Sequence, residues 1–353
     1  MKIIDRYIAT VVIAATLTAL LVVVGLNVFF NLIGEIEDVG NGGYTLLKML
    51  LTVMLTIPNS MYELFPVAAL LGSLIGMGML ASNSELIAMR ASGLSIWRIV
   101  LSVMQAGVAM LLVAVLLGEF VAPVAEQYAQ QLRATATDAR VSFMGNRGLW
   151  VRDDKLFINA GKVVSEDTLA EITVYEFDDE ARLKIATRAV SARYRKGQWV
   201  LRNVRQSEFD ADSVRVSQFD KLPRDSLLTP ELLGIVVLKP DDMSARDISQ
   251  FMDYLEVNGL NTQQYRYALM ERFVRPLSAL VMLFVSVPFV FGGLRSVGAG
   301  QRIFFGLMVG FGFYILSQIV GQMGQVYDFN PLLATLTPSV IFLLIGFRAV
   351  RRL

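Results

Sequence analysis

The sequence predicts a helical membrane protein: six transmembrane helices with an all-β, β-jellyroll-like periplasmic domain inserted between the third and the fourth. Three observations predict it. Apolar residues make up 54% of the 353-residue chain and charged residues only 18%. The long apolar runs fall three before and three after a polar central block, and the best of them, 7–34, holds no charged side chain. About 20 such residues cross the hydrocarbon of a bilayer at about 1.5 Å per residue. Inside the central block, short β-rich segments recur at even spacing.

Span 1 covers 7–34 and reads as an uncleaved anchor, too long for the apolar core of a signal peptide. Span 2 covers 60–81. Ahead of it lies an apolar stretch, 45–57, too short to cross alone and interrupted by Pro58, which is expected to form a separate interfacial or tilted lead-in helix. Span 3 covers 99–121, and 119–140 extends it as a helical stalk. Strand signals follow at 149–152, 156–159, 171–177, 183–187, 199–204 and 214–219, with a turn at Arg195-Lys196-Gly197; a sandwich, jelly roll or open barrel is consistent with them. A helix capped near Ser244 runs to Asn258, and a polar linker over 259–264 leads to span 4 (273–292), span 5 (303–322) and span 6 (331–347). The division is thus 1–121, 122–272 and 273–353.

Positive charge orients the spans. Lys2 and Arg6, Arg90 and Arg98, Arg295 and Arg302, and Arg348, Arg351 and Arg352 all fall on one side if there are six spans. That side is expected to be the cytoplasm, with both termini there and the central domain periplasmic. The chain has no Cys and no His, which removes thiol chemistry, disulfides, Cys/His zinc sites and histidine bases. A formal net charge of +1 gives no support to a nucleic-acid partner. No GxxxxGK[ST], GxSxG or HExxH occurs, so ATP hydrolysis and the familiar hydrolase arrangements are not expected on this chain.

Four constellations stand out. Ser82 followed by Glu85 fits a capping box and Gly93 fits a helix stop, so 82–93 is expected to hold a short helix with Leu86, Ile87 and Met89 as its apolar surface. Such a helix either rests on the headgroups or is gripped by an energy-supplying subunit. Gly72/Gly76 and Gly306/Gly310 have the spacing of close helix contacts, within one subunit or at a seam that opens. Aromatics crowd spans 1 and 5, among them Phe29, Phe30, Phe311 and Tyr314, as packing, lipid contacts or the wall of an acyl-chain cavity. Arg133 is either a solvated stalk charge or a bidentate partner for lipid phosphate.

The chain resembles the LptF/LptG permeases of the lipopolysaccharide exporter over essentially its full length. The resemblance rests on Asp5-Arg6-Tyr7, on Phe65-Pro66-Val67-Ala68-Ala69-Leu70-Leu71-Gly72 with Gly76-Met77-Gly78-Met79-Leu80-Ala81, and on Ser84-Glu85-Leu86 and Ala91-Ser92-Gly93. It continues in Gly118-Glu119-Phe120-Val121-Ala122-Pro123, Gly148-Leu149-Trp150 and Leu294-Arg295-Ser296-Val297, several of which favour the LptG branch. It implies a half-transporter in the bacterial inner membrane, an ABC exporter permease rather than an enzyme. The implied partners are an LptF-like second permease, two LptB-like ATPase subunits that bind ATP and Mg, an LptC-like single-span protein, and a periplasmic bridge toward the outer membrane. No cofactor or metal is implied on this chain itself.

Lipopolysaccharide would enter by a lateral gate between span 1 of one partner and span 5 of the other. By the resemblance, 82–93 is the coupling helix, with Glu85, Leu86, Met89 and Arg90 as ATPase contacts. Phe29, Phe30, Phe65, Arg133, Phe311, Tyr314 and Gln318 are then the lipid-binding and gate residues. The chain departs from the family pattern after span 1, where Glu35, Glu37 and Asp38 stand instead of lysines; a divalent cation shared between these carboxylates and lipid phosphates is one expectation. Other readings are a different type of ABC permease, a membrane-anchored sensor or scaffold, and an intramembrane enzyme. The first usually carries its large domain between spans 1 and 2, and the last is disfavoured by the lack of His and Cys.

Overall fold

The computed structural model describes residues 3–40, 43–136, 240–291 and 298–352, and 149–225 apart from turn positions 154, 166, 179, 181, 196 and 211–212. In chain order the helices are α1 (Ile3–Glu35), α2 (Leu46–Ser82), α3 (Glu85–Ala91), α4 (Ile96–Leu116) and α5 (Ala122–Ala136). After the sheet come α6 (Ala245–Val257), α7 (Gln263–Phe291), α8 (Ala299–Val326) and α9 (Pro331–Val350). Six helices among the described residues are long and apolar enough to cross a membrane, and they match the six expected spans. Leu294, Arg295, Ser296 and Val297, and the stalk residues beyond Ala136, lie outside the described residues.

The lead-in to span 2 is not a separate helix. α2 runs unbroken from Leu46 through Pro58 and Pro66 to Ser82, which is about 55 Å at 1.5 Å per residue. Each proline removes one backbone donor and clashes with the carbonyl four residues back. A helix packed on several sides holds such a defect, because its neighbours fix the path of the chain. Thr45 caps the start, accepting from the Lys48 amide. α2 is the axis of the bundle: it packs against α1, α5, α7 and α8, while α7 also receives α4 and α9.

The predicted glycine contacts are real and lie within the chain. A Cβ on Gly72 would stand 2.2 Å from the Cα of Thr16, and one on Gly76 3.1 Å from the Ala15 Cβ, so α1 lies backbone to backbone on α2. Gly306 and Gly310 face Leu71, Leu74 and Val67 of α2. Lipid tails are as apolar as leucine, so close backbone approach of this kind does work that the hydrophobic effect does in water.

Span 3 passes from α4 into α5 through a π-helical turn, Leu117–Val121. Then β1 (Leu149–Asp153), β2 (Leu156–Ser165), β3 (Thr168–Phe177), β4 (Leu183–Arg195), β5 (Gln198–Phe209) and β6 (Val214–Asp225) form one antiparallel sheet in sequential order. All six expected strands are present; among the described residues they form a meander with no crossover. Pro223 sits in β6, an edge strand among the described residues, where a residue without a donor is tolerated. The sheet is creased. Glu171 (φ 56°) and Asn203 (φ 49°) have left-handed backbones and both stand opposite Val190 in the register. Along this line the buried positions change phase, from Thr187 and Ala189 to Ala192 on β4 and from Trp199 and Leu201 to Val204 on β5. Trp199, Leu201 and Ile172 centre the sheet core, and Tyr254 of α6 packs on it. Ser244 caps α6 as expected, accepting from the Asp247 amide. α7 starts ten residues before the expected span 4 and runs on through 272.

Candidate functional site

At the end of the bundle that carries the chain termini, α3 forms the short helix expected between spans 2 and 3, but not with the expected cap. Ser84, not Ser82, is its N-cap; it is left-handed (φ 62°) and gives no side-chain bond. The Ser82 hydroxyl donates instead to the Met79 carbonyl. Glu85 is the first helical residue, too early to reach back to the cap, and its Oε2 accepts from the Tyr7 hydroxyl of α1 at 2.8 Å. Gly93 does end the turn, with φ 89° and its amide on the Arg90 carbonyl.

Of the four predicted contact residues, Leu86 is the buried one. It is 3% exposed and packs into the bundle core with Ile8, Leu80 and Ile99, so it anchors α3 from inside. Glu85 and Met89 are half-buried, and Ile87 and Arg90 are exposed. A shallow groove lined by Leu86, Ile87, Arg90, Ile96 and Phe291 runs beside them.

At the opposite end, the acidic segment after span 1 has a partner the sequence did not show. Arg133 bridges Glu35, at 2.8 Å, and Asp38. Tyr44, buried, donates to Glu35 at 3.0 Å, and burial, followed by the neighbouring carboxylate, holds its hydroxyl above its ordinary pKa. Two expectations change. Arg133 is already paired with two carboxylates, so a lipid phosphate would share its guanidinium with them. Glu35 and Asp38 are engaged by this arginine, and no group of three acidic side chains among the described residues is placed to hold a metal ion.

The same end holds a charged hub. Arg272, 8% exposed, donates to the carbonyls of Gly118 (2.9 Å) and Asp241 (3.2 Å) and lies 3.7 Å from Glu119. Glu119 in turn accepts from the Ala245 amide that opens α6. Tyr62 donates to the Arg272 carbonyl, and both Arg272 and Arg275 lie over its ring. Arg275 pairs with Glu271 at 2.7 Å and Glu63 at 3.6 Å. The π-turn puts Gly118 against Tyr62, where any Cβ would strike the ring. Asn59 donates to Asp242 at 3.0 Å. The signal for this hub was in the sequence: charges of both signs at the same ends of spans 2, 3 and 4.

The predicted gate residues separate into three settings. Phe29 and Phe30 form an edge-to-face pair on the open face of α1, and Phe311 is exposed on α8. Tyr314 and Gln318 line a cavity of about 390 Å³ whose wall mixes Asn27, Glu63 and Arg275 with Val67 and Phe313. Phe65 stands apart from the others: it is 6% exposed and packs in the bundle core.

A known family accounts for this layout. The family model described as lipopolysaccharide export system permease LptF/LptG matches residues 6–352. The chain belongs to the LptF/LptG family. LptG of Escherichia coli K12 is 33% identical over 347 residues, covering 98% of this chain and 96% of the relative. LptG of Haemophilus influenzae is 32% identical over 341 residues, covering 96% and 95%. Within that family the chain is a permease subunit of the lipopolysaccharide export system and not itself an enzyme.

Proposed function

We propose that this chain is the LptG-type half of an exporter that draws lipopolysaccharide sideways out of the inner membrane and passes it upward through its periplasmic sheet domain. The other half is an LptF-like permease, two LptB-like ATPases carrying ATP and Mg bind below, and an LptC-like protein and a periplasmic bridge receive the lipid. The termini and α3 face the cytoplasm in this reading. The observation that carries it is α8: a helix as apolar as α2 of which only 17% is covered within the chain, with Phe304, Phe305, Phe311 and Tyr314 exposed along it. α9, 33% covered, and α1, 39% covered, come next. Three open helices on one bundle, with a cavity of mixed lining beside α8, fit a gated wall better than a lipid-facing anchor.

The chemistry is that of transfer between apolar environments. Exposing acyl chains to water costs about 0.8 kcal/mol per CH₂, so the path must stay apolar where the tails go and polar where the sugars go. Phe29, Phe30 and Phe311 offer the first kind of surface; Gln318, Tyr314 and the Glu63–Arg275–Glu271 group offer the second. α3 offers the cytoplasmic contact through Glu85, Met89 and Arg90, anchored from inside by Leu86. The test is extraction of the native protein into lipid nanodiscs and mass spectrometry of what accompanies it. A P-loop ATPase, a second six-span permease and bound glycolipid are expected. The chain alone, under conditions that preserve other inner-membrane complexes, would overturn the reading.

A further inference from the structure

We infer that Tyr7 is a positioning residue: it holds the Glu85 carboxylate of α3 to the first turns of α1, so that movement imposed on α3 is delivered to span 1. This rests on the proposed role of α3 as the ATPase contact. The bond itself does not. It joins residues 78 positions apart, at 2.8 Å, with the phenol donating and the carboxylate accepting.

Nothing within α3 sets that carboxylate. Ser84 supplies no side-chain cap and Glu85 stands at the first helical position, so the reciprocal bond of a capping box is not made. Asn83 reaches the other oxygen only at 3.4 Å. The orientation of Glu85 therefore comes from α1. A carboxylate accepts at about four lone-pair positions. Tyr7 occupies one, which leaves capacity for a cationic group on a partner chain without dismantling the bond. A charge-assisted bond of this kind fixes a side chain that would otherwise sample several rotamers.

A second tie makes the connection stiff. Asp5, two residues before Tyr7, takes Arg98 at 3.4 Å and the Ser102 hydroxyl at 3.1 Å, both on α4. The start of α1 is thus bonded to both elements that flank the Gly93 turn, α3 through Tyr7 and α4 through Asp5. Behind this clasp, Ile8 and Val12 are fully buried, whereas further along the same helix Leu17, Leu21, Leu26, Phe29 and Phe30 are exposed. A displacement at α3 consequently enters α1 at its packed end, ahead of that open face. Tyr7 is itself 44% exposed, so its hydroxyl adds little to the fold.

The experiment uses the assembled complex, purified with its native ATPase and second permease and reconstituted with lipopolysaccharide in vesicles. Tyr7→Phe removes one hydroxyl. Complex yield and the KM for ATP are expected to stay at wild-type values, while lipid moved per ATP hydrolysed falls about tenfold, the size of one charge-assisted hydrogen bond. Glu85→Gln lowers the same ratio, and adding Tyr7→Phe to it lowers it little further, because both act through one bond. A Tyr7→Phe complex that moves lipid per ATP as the wild type does would overturn the inference, as would losses that multiply in the double variant. A Tyr7→Phe chain that no longer assembles would make the bond a structural one and overturn it equally. Failure of the docking reading looks different: the wild-type chain then carries no ATPase before any substitution is made.

Discussion

α2 and α8 are equally apolar over their best membrane-crossing stretches, yet 78% of that stretch is buried in α2 and 17% in α8. Apolar content therefore says which helices cross, and something else says which become the core. On α2 it is the placement of small and polar residues. Gly72 and Gly76 admit the backbone of α1, Ser73 meets Ser286 of α7 at 2.6 Å, and Tyr62 closes on Arg272. On α8, Gly306 and Gly310 meet side chains of Val67, Leu70, Leu71 and Leu74 and no backbone, and Gly312 faces open space. Where water does not push helices together, a helix is held by how closely it is approached. α8 touches α2, α7 and α9 yet leaves most of its apolar stretch open, which is what a surface for lipid or for a second subunit requires.

The sharpest way to break this contrast is to place the same side chain in both helices. Gly72→Leu meets the backbone of Thr16, which cannot step aside as a side chain can, and is expected to abolish folding; Gly72→Ala alone is expected to cost about 3 kcal/mol, the upper end of ordinary overpacking. Gly312→Leu is expected to leave the fold of the chain intact. Thermal unfolding in nanodiscs distinguishes them, and a Gly312→Leu chain that unfolds early would show that α8 is core after all. Next in size is Arg272→Met. It strips Glu119 of its cation and leaves the carbonyls of Gly118 and Asp241 without their donor. Breaking a buried pair from one side costs about 3–5 kcal/mol, expected here near the lower figure because Glu119 keeps the Ala245 amide. Urea-dependent proteolysis of the α6–α7 connection would measure it.

The spans, their number, the central strands and the cap of α6 were legible because each rests on a pattern local in sequence. What was not legible depended on distant residues. Pro58 reads as a helix break until α1, α5 and α7 are known to hold both sides. Leu86 reads as surface on a two-turn helix until the bundle that buries it is in place. The acidic run after span 1 reads as a cation site because its partner, Arg133, comes from a helix about 100 positions later. The strands show the same limit within one sheet. The expected segments 156–159, 183–187 and 199–204 stop close to the crease, and 171–177 begins on it, because the in-out alternation changes phase there. A period-2 pattern detects a strand only while its phase holds; the left-handed turns at Glu171 and Asn203 shift it by one residue and the strands continue beyond.

The smallest expected effect tests whether α2 is held by shape or by polar bonds. The Ser286 hydroxyl donates to the Leu283 carbonyl at 2.7 Å, so at the 2.6 Å contact between the two serines it is Ser73 that donates. Ser73→Ala removes that donor and leaves Ser286 still satisfied through its own hydrogen. Hydrogen bonds between membrane helices are worth about 0.6 kcal/mol on average, and with no donor orphaned the loss here is expected at that level. If shape holds α2, Ser73→Ala is nearly silent while Gly72→Ala, one residue away, is severe. Unfolding of the two variants under identical conditions makes the comparison direct. Equal losses at 72 and 73 would mean that the polar bond, and not the close approach of α1, makes α2 the core.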